Sequence, residues 1–235
     1  MQLQHSSHDG FVMAPRTWSL LQAARTVTVL TNSRRIPADI LDSRIPDESE
    51  VFVVFNRHRF SIDDRRAANT LWVHRLDEAS GEYFGDAAAD GPACKGVHRL
   101  YVAGDVGAGP LPRSDASSLS YRADLPGLRD YPVGRRLLIP QRGVRRIVSP
   151  STGFAVLALL EELQRRGAGF RLRAMGIGGE YNGWPGHDWA YERRCLHRSG
   201  IDFRTPEGLP DSWHRLLDAF PYDLVRVLGK IAKVA

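Results

Sequence analysis

Three stretches of the chain bring together residue types that can do chemistry. The first is Ser149-Pro150-Ser151-Thr152-Gly153-Phe154, where a short apolar run gives way to a long apolar helix pattern. A helix start presents unpaired backbone N–H groups and the positive end of the peptide dipoles, which suits a phosphate or carboxylate. The Ser151 and Thr152 hydroxyls add donors, and Gly153 permits close approach. The stretch is neither a GxxxxGK[ST] loop nor a GxGxxG turn, and taken alone it also reads as an ordinary capped helix.

The second feature is a pair of asparagines, Asn32 (followed by Ser33) and Asn56, each closing an apolar run. An amide at that place supplies a donor and an acceptor, the combination needed to read a base or ribose edge. Asparagine is also a common turn residue, so each is equally a loop signal. The third is His187-Asp188-Trp189-Ala190-Tyr191-Glu192. A histidine at a helix start is disfavoured as the cation and stays available as a base near neutral pH. Glu192, five positions on, is placed to hold the helix or orient a neighbour. This spacing does not converge on a metal as HExxH does.

The elements that must position these groups follow from the hydrophobic pattern. Thr26 to Thr31 (TVTVLT) and Val51 to Phe55 (VFVVF) are continuous, largely β-branched runs of the kind buried in parallel sheets. A polar stretch from Ile62 to Asn69 reads as helix, and Thr70 to His74 as a further strand. The Gly-, Ala-, Pro- and Asp-rich region 77–132 reads as a long irregular segment, a lid or acceptor loop, around one strand at His98 to Val102. Val144 to Val148, the SPSTG turn, a helix from Phe154 to Arg166 and a strand from Phe170 to Ile177 predict a β-turn-α-β unit. Ser151 or Thr152 is the expected N-cap, and Gly167 to Gly169 the stop. A helix is expected from His187 to Ser199. The stretch Tyr222 to Val234 is amphipathic and basic, and reads either as a surface helix on the core or as a contact with an anionic membrane face.

The pattern predicts an α/β fold, Rossmann-like, with a mostly parallel sheet. The expected organisation is one domain over 1–235, with a first nucleotide-binding unit at 25–75, the 77–132 segment, and a third part at 144–200. With 43% hydrophobic and 25% charged residues the composition is that of a globular protein. There is no apolar run of membrane-spanning length and no secretory leader pattern, so a cytoplasmic location, with peripheral contact at the inner membrane face as an option, is expected. Cys94 and Cys195 form no metal or disulfide pattern and are expected as free thiols. A net charge of +5, carried by scattered arginines, favours anionic partners without the clustering of a nucleic-acid module.

The order of these elements resembles that of the sialyltransferases. Those families have a first strand ending in asparagine (here VTVLTNS) and a second ending in V-x-R-x-N or similar (here VFVVFNR). A P-S-[ST]-G turn opening an apolar helix follows (Pro150-Ser151-Thr152-Gly153), then an H-x4-E element (His187 to Glu192). The resemblance implies a GT-A-variant glycosyltransferase that transfers sialic acid or a Kdo-like sugar from a CMP-sugar to a glycan or glycolipid hydroxyl, with inversion, no metal and no other cofactor. It implies that Asn32, Ser33 and Asn56 contact the CMP moiety, and that Ser151, Thr152 and Gly153 bind the phosphate or the sugar carboxylate. It further implies that Tyr181 steadies the leaving phosphate and that His187, with Glu192, supplies the base. Thr31 stands where the family has a glycine, and a histidine-tyrosine pair ahead of His187 is replaced by GGEYNGW, which leaves the sugar open. Two rival readings are a noncatalytic nucleotide- or glycan-binding protein of the same fold and a metal-dependent nucleotide-sugar transferase. Asp63-Asp64 lies beside arginines and reads as a helix start, not as a metal-binding DxD.

Overall fold

The computed structural model describes residues 10–31, 49–57, 67–78, 80–86, 94–104, 111–132, 136–139, 144–147, 149–175, 187–199 and 201–204. Seven parallel strands dominate it: β2 (Thr26–Leu30), β3 (Glu50–Phe55), β4 (Thr70–Asp77), β6 (His98–Ala103), β7 (Ser117–Ser120), β10 (Arg171–Met175) and β11 (Asp202–Arg204). Across the sheet they run β7-β6-β4-β3-β2-β10-β11. Strand β1 (Phe11–Val12) adds to β7 antiparallel, and β5 (Glu82–Tyr83) folds back on the end of β4. The chain thus builds outward from β2 through β3, β4, β6 and β7, then returns to lay β10 and β11 on the other side of β2. This reversal makes β2 and β10 a topological switch point, the place where open α/β sheets bind ligands at the carboxyl ends of their strands. Thr31 N–H donates to the Met175 carbonyl at 3.2 Å and closes the two strand ends together.

Continuous apolar strands make sense only if both faces are covered. Along β2 and β3, Val27, Val29, Val51, Val53 and Phe55 point into the larger core with Leu71, Val73, Leu100, Val102 and Leu119. The alternate residues Leu30, Phe52 and Val54 join Trp72 on the other face. Helix α1 (Pro15–Ala23), α2 (Thr152–Arg165) and α3 (Trp189–Arg198) cover the larger core. Nine of the fourteen α2 residues are buried, from Thr152 to Leu163, which explains a helix sequence apolar on nearly every side. It ends where Gly167 takes a φ of 101°, as the glycine cluster predicts. Phe170 is buried directly ahead of β10, so the C-terminal end of α2 lies at the amino ends of the strands. At about 1.5 Å per residue, a fourteen-residue helix then starts near their carboxyl ends.

Two expectations need correction. Val144–Ile147 is a strand, β9, but it pairs antiparallel with β8 (Arg136–Ile139) in a separate hairpin and takes no part in the main sheet. The predicted β-turn-α-β unit therefore does not exist: β10 already has parallel neighbours on both sides, β2 and β11. The run Arg136 to Ile147 (RLLIPQRGVRRI) is two short strand patterns around a Pro/Gly-containing link, which is a hairpin signal. Region 77–132 is also more regular than its composition suggests. It holds the last residue of β4, β5, a β6 longer than expected, and β7, whose four residues SSLS are all buried. Serine is tolerated there because Ser117 and Ser120 bond to backbone distant in sequence, Ser117 Oγ accepting from Ala14 N–H and Ser120 Oγ donating to the Gly104 carbonyl. The predicted helix from Ile62 to Asn69 falls within the described residues only at 67–69, and the 222–234 stretch lies entirely outside them. Among the described residues, no helix is long and apolar enough to cross a membrane.

The end of β3 is held by an unusual close approach. Asn56 adopts a φ of 49°, and its carbonyl accepts from Trp72 Nε1–H at 2.7 Å. Gly85 lies so near that a methyl group there would overlap the Asn56 carbonyl, and its own φ is 76°. Gly85→Ala combines a clash with a left-handed backbone that an L side chain disfavours. It is expected to lower stability by about 1–3 kcal/mol in chemical denaturation.

Candidate functional site

The carboxyl edge of the sheet gathers several of the groups read from the sequence. Helix α2 begins there with Ser151 as N-cap, its Oγ accepting from Phe154 N–H at 3.1 Å. The same hydroxyl donates to Glu192 Oε2 at 2.6 Å, while Ser151 N–H donates to Glu192 Oε1 at 2.8 Å. Tyr131 OH donates to Glu192 Oε1 at 3.1 Å and accepts from Asp188 N–H at 2.8 Å. Asp188 caps α3, with Oδ1 accepting from Tyr191 N–H. Glu192, fully buried, thus ties the first turn of α3 to the cap of α2 through two bonds to a single serine.

This geometry refines the roles expected of the turn. The Ser151 hydroxyl and N–H are committed to Glu192 and Phe154, so Ser151 fixes the turn in place of reaching a ligand. Thr152 Oγ1 lies 2.7 Å from Tyr121 OH, the residue that follows β7. What the helix start can offer an anion is the pair of N–H groups of Thr152 and Gly153, which by position have no intrahelical acceptor. Gly153 leaves no side chain in the way.

His187 stands just ahead of the α3 cap and is 7% exposed. Its Nδ1 lies 2.8 Å from the Ser149 carbonyl. A carbonyl can only accept, so Nδ1 carries the proton and Nε2 the lone pair, the tautomer a base acting through Nε2 requires. Burial holds the imidazole down to about 4 from its ordinary 6.5, with the Arg75 guanidinium lowering it further and the Ser149 bond opposing. The helix dipole was the cause anticipated from sequence; desolvation and Arg75 do the work here. Trp189 packs edge-on against the ring at 4.9 Å between centroids.

Glu192 moves the other way. Burial raises its carboxyl to about 7, against the pull of the Ser151 and Tyr131 hydrogen bonds, and Asp188 adds to the rise. Burial also pushes the Tyr121 phenol up to about 12, opposed by Thr152 and Arg75.

Asn56 closes β3 at the same edge. Its side-chain oxygen accepts from Arg75 N–H at 2.9 Å, leaving the amide NH2 as the end of the side chain able to meet a ligand. Arg75, in the last part of β4, thereby connects Asn56 to the field at His187. Asn32, Ser33 and Tyr181 lie outside the described residues; the chain leaves β2 at the switch point immediately before Asn32. Among the described residues, no group of three or more His, Cys, Asp or Glu side chains is arranged to hold a metal ion. Cys94 and Cys195 are free thiols.

Sequence reading missed Arg75, Tyr121, Tyr131 and the capping role of Asp188. Asp188 was legible, since aspartate directly before an amphipathic stretch is a cap signal. Tyr121 and Tyr131 lie within the region read as irregular, and nothing local marks a tyrosine whose partners are 31 and 61 positions away. No protein-family model, curated protein or solved structure matches the chain.

The opposed titrations of Glu192 and His187 set a pH signature. Between pH 4.5 and 7 the folded state keeps a proton on Glu192 that the unfolded chain has lost, so this group makes stability fall as pH rises. Between about pH 4 and 6.5 the unfolded chain binds a proton that folded His187 does not, so the histidine makes stability rise. His98, also held at about 4, acts in the same sense. Glu192→Gln removes the falling component alone. Its unfolding free energy, measured by urea titration from pH 4.5 to 7, should climb more steeply with pH than that of the parent.

Proposed function

We propose that this chain is an inverting, metal-independent glycosyltransferase of the sialyltransferase type, with a GT-A-variant Rossmann-like fold. In this reading it moves sialic acid or a Kdo-like sugar from a CMP-sugar to a glycan or glycolipid hydroxyl. The observation that supports it most is the pairing of two groups by one lock. Buried, neutral His187 and the open N–H groups at the start of α2 are brought to the same sheet edge by Glu192 and Ser151. An anion-accepting helix start beside a neutral base is what transfer from a phosphate-linked sugar calls for.

His187 Nε2 takes the proton of the acceptor hydroxyl as its oxygen attacks the anomeric carbon. The bond from that carbon to the phosphate oxygen breaks, and CMP departs with the negative charge. Thr152 and Gly153 N–H groups, with the positive end of α2, meet charge growing on the phosphate or held on the sugar carboxylate. The leaving group is a phosphate monoester, which needs less charge neutralisation than a diphosphate. Asn56 offers its amide NH2 to the nucleotide, and Arg75 keeps the surroundings of His187 positive. Glu192 is a positioning residue, since its carboxylate is occupied by Ser151 and Tyr131.

His187→Ala is expected to abolish CMP release from CMP-sialic acid or CMP-Kdo in the presence of acceptor, while CMP still raises the melting temperature. Full transferase activity in that variant would sink the assignment, as would a thermal shift with UDP and none with CMP. Because His187 is held at about 4, the acid limb of kcat/KM should fall well below pH 6.5.

A further inference from the structure

Strand β3 pairs with β4 only as far as Phe55 and Val73, and past that point β5 pairs with the end of β4, Tyr83 opposite Leu76. Phe84 continues this pairing, its N–H donating to the Arg75 carbonyl at 2.9 Å. Residues that face each other across an antiparallel ladder point to one side of the sheet. Phe84 therefore lies on the side taken by Arg75. Two residues earlier on β4, Val73 points to that same side, into the larger core covered by α2 and α3.

Among the described residues, Phe84 is the one large hydrophobic side chain that is exposed, at 37%. A lone exposed aromatic is ordinary on a protein surface. What sets this one apart is a fixed backbone beside an amide donor. The Phe84 N–H is held by Arg75, and its carbonyl accepts from His74 Nδ1 at 3.1 Å. Gly85, the next residue, is pressed against the Asn56 carbonyl so closely that no side chain fits there. Asn56 Oδ1 accepts from Arg75 N–H at 2.9 Å, and among the described residues the Asn56 NH2 has no partner. The two backbone groups of Arg75 thus anchor both an apolar ring and an outward amide.

We propose that Phe84 is the platform on which a nucleotide base stacks, with the Asn56 NH2 donating to an acceptor on the edge of that base. The face of a base suits an aromatic ring whatever its sequence of edge groups, so Phe84 supplies affinity. The amide supplies selection, because it favours a base that presents an acceptor. This inference rests on the nucleotide-donor reading of the carboxyl edge and adds to it the residue that receives the base.

The test is calorimetric titration of the full chain with CMP, UMP and AMP, using the parent, Phe84→Ala and Phe84→Tyr. Phe84→Ala is expected to bind the preferred nucleotide at least about fivefold more weakly than the parent, and Phe84→Tyr to retain the parent affinity. Phe84 is exposed, so both variants should fold, and circular dichroism checks that they have. Unchanged CMP affinity in Phe84→Ala overturns the proposal while leaving the CMP-donor reading standing. Loss in Phe84→Tyr as large as in Phe84→Ala also overturns it, since a planar ring is then not what matters. So does an absence of binding by all three nucleotides. If AMP binds in place of CMP with the same dependence on Phe84, the base platform is supported and the CMP-donor reading fails.

Discussion

The carboxylate of Glu192 is fully buried, yet it accepts three hydrogen bonds from two residues, Ser151 and Tyr131, that lie far from it in sequence. Such a group is costly to place away from water unless its acceptor sites are filled. Filling them forces Ser151 and the first turn of α3 into one arrangement. The N-cap of α2, the entry to α3 and the ring of Tyr131 then become a single unit with little freedom. Replacing Ser151 would remove both a helix cap and the hydroxyl partner of a buried carboxylate, so the consequence would reach across both helices even though the backbone N–H bond remains. The same cluster is closed by aromatic contacts, with Tyr131 edge-on to Tyr191 at 5.1 Å and tilted against Phe154 at 5.7 Å.

That unit would be idle without the sheet. The reversal at β2 and β10 sets the switch point, and the length of α2 carries its start toward the carboxyl ends of the strands. Strands β3, β4 and β7 then deliver Asn56, Arg75 and Tyr121 to the same edge. Arg75 acts in two directions: its backbone N–H orders the Asn56 amide, and its charge lowers both His187 and Tyr121. Burial keeps the imidazole neutral, and the positive charge of Arg75 adds to that. An anion arriving at this edge would offset the Arg75 contribution and leave the larger effect of burial in place.

Much of this was legible in the sequence, and the reason differs from element to element. TVTVLT and VFVVF announced buried parallel strands because only a sheet covered on both faces accepts so continuous an apolar run. Of the two caps the sequence allows for α2, Ser151 or Thr152, the structure uses Ser151, and the chain leaves the helix at Gly167, the first of the expected Gly167 to Gly169 stop, because caps are local chemistry. The hairpin of β8 and β9 is hard to read from sequence, because VRRI directly precedes the SPSTG turn while its partner RLLI lies across a Pro/Gly-containing link. Strand β7, with the sequence SSLS, offers one apolar side chain in four, and only the hydrogen bonds of its serines to distant backbone make burial tolerable. In the site, His187, Glu192 and the turn could be picked out by type and order. Tyr131 and Arg75 could not, because their importance lies entirely in what the fold sets beside them.

The distribution of charge over the two sheet edges extends the argument. At the carboxyl edge, Arg75, a neutral histidine and the start of α2 come together. At the amino edge, Arg16 and Arg99, each tied to an acceptor, lie beside the neutral His98. In both places burial, the larger cause, and a neighbouring arginine hold a histidine near 4. The difference lies in what the backbone supplies. The carboxyl edge adds N–H groups at Thr152 and Gly153 that have no intrahelical acceptor. The amino edge adds two side-chain cations, Arg16 tied to the Gly96 carbonyl and Arg99 tied to Asp86. The two edges therefore differ in kind: backbone N–H groups face the first, and side-chain cations face the second.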